Sequence, residues 1–230
     1  MSNNWFEVDR NGLKALQEGK PKTFIVRELL QNALDENITV CKLDVWWDAG
    51  VATISVEDDS PEGFRDLSDA YTLFKDTYKR SDATKRGRFN LGEKQVFAVC
   101  TSAEIATTTG TILFDKNGRH RGRKKREKGS VIRVNVRLKL EEAKELLAFI
   151  DLILPPKNIH FEYTFLGGLP EERPYRLPYK SFDATLRTEL KDGEAFRPTR
   201  RKTQVHVHRT DGPKYLYELG IPVCEIDCDF

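Results

Sequence analysis

Arg27-Glu28-Leu29-Leu30-Gln31-Asn32-Ala33-Leu34-Asp35-Glu36 is the stretch on which the reading of this chain turns. Together with Phe24 and Ile25 upstream, Leu29, Leu30, Ala33 and Leu34 recur near the helical period, so the spacing predicts a helix from Pro21 to about Asn37 with one apolar stripe. Pro21 suits its first turn, where the missing N–H has no intrahelical acceptor. Glu28, Asn32 and Asp35 interrupt the stripe at spacings of four and three, which puts an acid, an amide and a second acid on one helix face. Alone, such a face is most simply a solvated one. The segments downstream of it change that reading.

Upstream, residues 10 to 18 read as a short helix. Downstream, Cys41, Leu43, Val45 and Trp47 alternate, as do Ala52, Ile54 and Val56, and the turn-prone Asp48-Ala49-Gly50 joins them into an antiparallel hairpin. The second strand runs into Glu57-Asp58-Asp59-Ser60-Pro61-Glu62-Gly63-Phe64. Its phase leaves Asp58 on the side of Ile54 and Val56, an unusual place for a carboxylate. Residues 65 to 82 read as a polar helix. Lys85-Arg86-Gly87-Arg88-Phe89-Asn90-Leu91-Gly92-Glu93-Lys94 then forms a glycine-bearing loop opening a helix that carries Val96, Phe97 and Val99. Backbone N–H groups at such a helix start can hold phosphate oxygens. Gly129-Ser130 later leads into the strand Val131-Ile132-Arg133-Val134.

In their order and separations these segments resemble the motifs of the GHKL superfamily of ATPases (gyrase B, Hsp90, histidine kinase, MutL), over roughly residues 5 to 165. The Glu28/Asn32 helix is similar to the first motif, Asp58 through Gly63 to the second, Gly87-Arg88-Phe89-Asn90-Leu91-Gly92 to the third, and Gly129-Ser130 to a late Gly-Thr. The resemblance implies an α/β fold, a two-layer sandwich of the Bergerat type with helices on one face of a mixed sheet. It also implies Mg²⁺-dependent binding and hydrolysis of ATP. Asn32 would be the magnesium ligand and Glu28 the base that activates water. The nucleotide itself would be held by Asn32, Asp35, Asp58, Gly63, Phe89, Asn90, Leu91, Gly92, Lys94 and Ser130. Residues 65 to 86, with Tyr71, Leu73 and Phe74 as packing contacts and Ser81, Asp82 and Thr84 near a hinge, would form a lid whose closure accompanies homodimerisation. Two departures stand out: Ser60 replaces a usual Gly in a second motif one residue longer than usual, and Asn90 replaces a middle glycine. Strand phase makes Asp58 the adenine reader, whereas a gapless match of the motif's end favours Asp59. Asn90-Leu91-Gly92-Glu93-Lys94 and Gly220-Ile221-Pro222-Val223 look closer to stand-alone phage or bacterial members than to Hsp90. Histidine phosphorylation is disfavoured, because no His lies on a dimerisation helix upstream of the motifs.

The rest of the chain sets outer limits. With 39% hydrophobic residues and 38 basic against 36 acidic side chains, the composition is that of a globular domain without a global case for nucleic acid. No apolar run approaches the roughly 18 residues of a membrane span, so the expectation is a cytoplasmic protein. Cysteines 41, 100, 224 and 228 form no disulfide pattern. His206, His208, Cys224 and Cys228 could supply zinc ligands, but the blander reading has Val205 and Val207 inward and the imidazoles in water. Residues 116 to 128 are dense in positive charge and begin at an Asn-Gly hairpin signal, making them a candidate nucleic-acid contact or a solvated tip. Strands are expected at Ile159 to Phe165 and Thr203 to His208. Residues 166–230 read as the beginning of a transducer-like α+β domain, truncated at its end. Two other functions fit the same residues: a nucleotide-sensing module that does not hydrolyse, and a DNA-binding protein using the cations of 119 to 126.

Overall fold

The computed structural model describes residues 8–64, 66–75, 90–192 and 195–227. Its central element is an eight-stranded mixed sheet in an α/β arrangement with a few helices. The strands are β1 (Val40–Asp48), β2 (Val51–Asp58), β3 (Ser102–Thr107), β4 (Gly110–Asp115), β5 (Gly118–Gly122), β6 (Ser130–Arg137), β7 (His160–Phe165) and β8 (Glu171–Arg173), in the order β5-β4-β3-β6-β2-β1-β7-β8. Neighbours are antiparallel except β1 and β7. The helices are α1 (Arg10–Ala15), α2 (Thr23–Leu34), α3 (Gly92–Val99) and α4 (Leu140–Asp151).

Alternation decides which face of the sheet is covered. In β1, Cys41, Leu43 and Val45 are buried while Lys42, Asp44 and Trp46 are exposed, and β2 buries Ala52, Ile54, Val56 and, last in phase, Asp58. These strands share one core with Phe24, Ile25, Val26, Leu29, Leu30 and Ala33 of α2 and with Leu146 and Ile150 of α4. The sheet thus has one dry face and one solvated face. The β1–β2 turn places Ala49 at φ 46° and Gly50 at φ 83°, the left-handed pair that a two-residue hairpin needs to match strand twist. Helix α2 starts two residues after Pro21 and stops at Leu34, shorter than the apolar period suggests.

The expected helix over 65–82 is absent among the described residues: only Leu67–Ala70 form a single 3-10 turn. Asp66 explains it, since its carboxylate accepts from the Ser68 amide at 2.8 Å and from Lys75 at 2.6 Å, a local satisfaction that competes with helix. Ser81, Asp82, Thr84, Gly87 and Phe89 lie outside the described residues. Beyond residue 165 the chain does not leave the sheet at once, because β8 pairs with β7. It then forms a long antiparallel ribbon of β9 (Lys180–Asp192) and β10 (Ala195–Val207), and a short one of β11 (Tyr215–Glu218) and β12 (Ile221–Glu225). Ile221 is fully buried in the main core, and the Leu154 amide donates to the Gly220 carbonyl at 2.9 Å. In β10, Val205 and Val207 are half-buried and His206 is exposed, bonded to the Ser181 hydroxyl at 2.7 Å. Cys228 is not described, and among the described residues no three His, Cys, Asp or Glu side chains converge as a metal site. No helix among them is long and apolar enough to cross a membrane.

Candidate functional site

Helix α2 is the common wall of the site. On its polar face Glu28 packs so tightly against α3 that a Cβ built on Gly92 would collide with the Glu28 carboxylate, so glycine is the residue that fits there. The other Glu28 oxygen accepts from Arg27 at 3.2 Å, and its side chain is 19% exposed. One turn on, Asn32 donates from Nδ2 to Oε2 of Glu93 at 3.3 Å. Glu93 and Lys94 are both buried and paired at 2.5 Å. Lys94 also donates to Oδ1 of Asn90 at 2.7 Å and to the Asp69 carbonyl. Asn90 sits at φ 49°, a left-handed conformation that Asn tolerates where glycine is usual, and its amide bonds the Asp69 and Thr72 carbonyls. Leu91 caps α3 without a side-chain hydrogen bond, so the first amides of this helix retain the anion-binding geometry of a helix start.

The second half is built at the end of β2. Asp58 is 8% exposed, and its Oδ1 accepts from the amides of Ser60 at 2.9 Å and Ser130 at 3.2 Å. Burial pushes its carboxyl up to about 6, against the lowering pull of those two amides, and the nearby charge of Glu36, just past α2, adds to the rise. Asp59 is employed differently: its carboxylate accepts from the Thr39 amide at 2.8 Å, the Thr39 hydroxyl at 2.7 Å and the Val40 amide at 2.9 Å, pinning the start of β1. The Ser60 carbonyl takes the amides of Gly129 and Gly63, locking the turn after β2 onto the entry to β6. Gly63, at φ 58°, leaves no room for a side chain beside the Thr107 hydroxyl, which accepts from the Phe64 amide at 2.8 Å and meets Ser130 Oγ at 3.3 Å. Gly129 lies at φ 70°, and a Cβ built on it would collide with the Asp58 backbone carbonyl. Gly129→Ala therefore meets both strained backbone and main-chain collision, and a loss of at least about 2 kcal/mol is expected. At this chain length that is a fall in melting temperature of about 5 °C or more by scanning calorimetry; an unchanged melting temperature would show that the turn yields freely.

Of the residues singled out from sequence, Glu28, Asn32, Asn90, Leu91, Gly92 and Lys94 gather at the α2–α3 junction. Asp58, Gly63 and Ser130 gather at the end of β2, while Asp35 is buried at the C-cap of α2 and Phe89 is outside the described residues. Sequence reasoning gave no role to Thr107 or Glu93. Thr107 carries the same signal as Asp58, a polar residue closing an apolar alternation of Ala103 and Ile105; Glu93 carries none, since its partner is 61 positions away. The basic stretch 116–128 forms the exposed edge strand β5 and the loop after it. Part of its charge is committed: Arg126 pairs with Glu57 at 2.5 Å, Arg119 stacks 3.6 Å over the Tyr71 ring and His120 meets Asp115 at 3.2 Å.

The chain matches no protein-family model, and no curated protein matches it.

Proposed function

We propose that this chain binds ATP with magnesium and hydrolyses it, on a two-layer α/β sandwich of the GHKL (Bergerat) type. The observation that carries the reading is that one helix, α2, brings Glu28 and Asn32 to the start of α3 and packs on β2, the strand that ends in the buried Asp58. A carboxylate this deeply buried destabilises a fold, and a raised carboxyl in such a place marks a candidate binding group. Asp58, held at Oδ1 by two amides, keeps its second oxygen for a donor such as the adenine amino group.

Asn32 fits a magnesium site of a particular kind. Its Nδ2 is turned to Glu93, which leaves Oδ1 as a hard oxygen donor, and a metal delivered with a triphosphate needs little more from protein. Magnesium, when bound, would offset the charge of the triphosphate and stabilise the transferring phosphoryl group. Glu28 orients a water for in-line attack on the γ-phosphorus and takes its proton as the bond to the bridging oxygen of ADP breaks. The opening amides of α3 face the phosphate oxygens, with Gly92 permitting the close approach of Glu28, while Lys94, whose ammonium is committed to Glu93, Asn90 and the Asp69 carbonyl, holds this turn together behind them.

Phosphate release from ATP by the wild-type chain, abolished by chelating magnesium, is the expected result. Binding without release at millimolar ATP would favour the nucleotide-sensing module. Coupling to homodimerisation comes from the same resemblance, and sedimentation velocity with and without an ATP analogue reads it.

A further inference from the structure

We propose that Glu93 is the positioning residue that turns the Asn32 amide so that its oxygen, and not its nitrogen, meets the metal. The inference rests on the ATP reading and adds to it a residue outside the motifs. Glu93 is 5% exposed, in the first turn of α3, with one oxygen 3.3 Å from Asn32 Nδ2 and the other 2.5 Å from Lys94 Nζ. A carboxylate only accepts hydrogen bonds, so the arm of the Asn32 amide that faces it is the donor by chemistry, and Oδ1 is forced onto the opposite arm. The two arms of an amide are nearly the same shape, so its partners decide which way it turns. Magnesium accepts only the oxygen arm. Lys94 completes the device: it occupies the second Glu93 oxygen and balances its charge, so Glu93 orients the metal ligand and does not compete for the metal.

The arrangement makes a near-isosteric substitution unusually informative. In Glu93→Gln, Lys94 still has only protons to offer and claims the Gln oxygen. The Gln amide nitrogen then faces Asn32, which must rotate its oxygen inward and present its nitrogen to the metal. Replacing Asn32 by Asp in that background cures the fault, since Asp accepts from the Gln nitrogen with one oxygen and keeps the other for magnesium.

The test is calorimetry with a non-hydrolysable ATP analogue across a magnesium titration, on wild type, Glu93→Gln and the double variant Glu93→Gln/Asn32→Asp, with folding followed by circular dichroism. The half-saturating magnesium concentration is expected to rise about tenfold or more in Glu93→Gln, with magnesium-free affinity unchanged, and to return most of the way in the double variant. A Glu93→Gln protein that titrates like wild type, or that loses affinity equally with and without magnesium, would overturn the positioning role. So would a double variant that recovers nothing. A wild type that binds no nucleotide sinks the ATP reading and this role with it, whereas magnesium-dependent wild-type binding beside an indifferent Glu93→Gln sinks the role alone.

Discussion

An Asp58→Asn variant is expected to lose nucleotide affinity by about a hundredfold or more, equivalent to about 2.7 kcal/mol, while its fold at pH 7.5 becomes no less stable. The two effects have one origin. In the native site Oδ1 of Asp58 already holds the Ser60 and Ser130 amides. The Asn oxygen inherits that position, and the Asn nitrogen is left facing the adenine amino group, donor against donor.

Stability moves the other way. The folded carboxyl titrates at about 6 against an ordinary 3.8, so the fold favours its neutral form. That favourable contribution is complete below about pH 4 and is lost as pH rises through about 6, leaving at neutral pH a cost of about 3 kcal/mol relative to a group that cannot ionise. Asn escapes the cost, so the variant is expected to gain stability relative to wild type across pH 4 to 6 and hold the gain above it, as urea melts along a pH series would show. For the same reason wild-type nucleotide affinity is expected to fall below about pH 6, where the carboxyl carries a proton toward the adenine donor. A variant that binds as wild type does, or an affinity flat from pH 5 to 7.5, would remove Asp58 from the site.

Glu28→Gln is the second large effect: turnover is expected to fall by about 10²- to 10⁴-fold, the usual contribution of a general base, with affinity for the ATP analogue nearly intact. Gln preserves the size that fits against Gly92 and removes only the capacity to accept the water proton. Measuring phosphate release beside analogue binding separates the two. If turnover survives the substitution, the base is elsewhere; if binding collapses with it, Glu28 serves the local packing of α2 against α3 and not the chemistry.

Local pattern makes α2, the β1–β2 hairpin and α3 legible in the sequence, because each is specified by its own period and punctuation: an apolar stripe, two alternations around Ala49-Gly50, a glycine loop before Val96. Asp58 is readable for the same reason, as a charge standing in the phase of Ile54 and Val56. What the chain hides is what depends on distant partners. The Asn32–Glu93 bond joins two helices, and the Asp58–Ser130 contact joins strands that pair only in three dimensions. The β9–β10 ribbon is only half legible, since Pro198 and a run of polar residues mask its alternation; a two-stranded ribbon tolerates that proline because both strands are edges. Contacts across the expected boundary are hidden in the same way. The sequence reads as a new unit from residue 166, while β8 pairs with β7 and Ile221 is buried in the main core.

Calorimetric titration of the wild-type chain with a non-hydrolysable ATP analogue, with and without magnesium, bears most directly on the proposed ATP site. Saturable binding of one nucleotide per chain, strengthened by magnesium and lost in Asp58→Asn, is the predicted result. Absence of binding in both conditions by a folded wild-type protein would contradict it and leave an α/β fold without the proposed site.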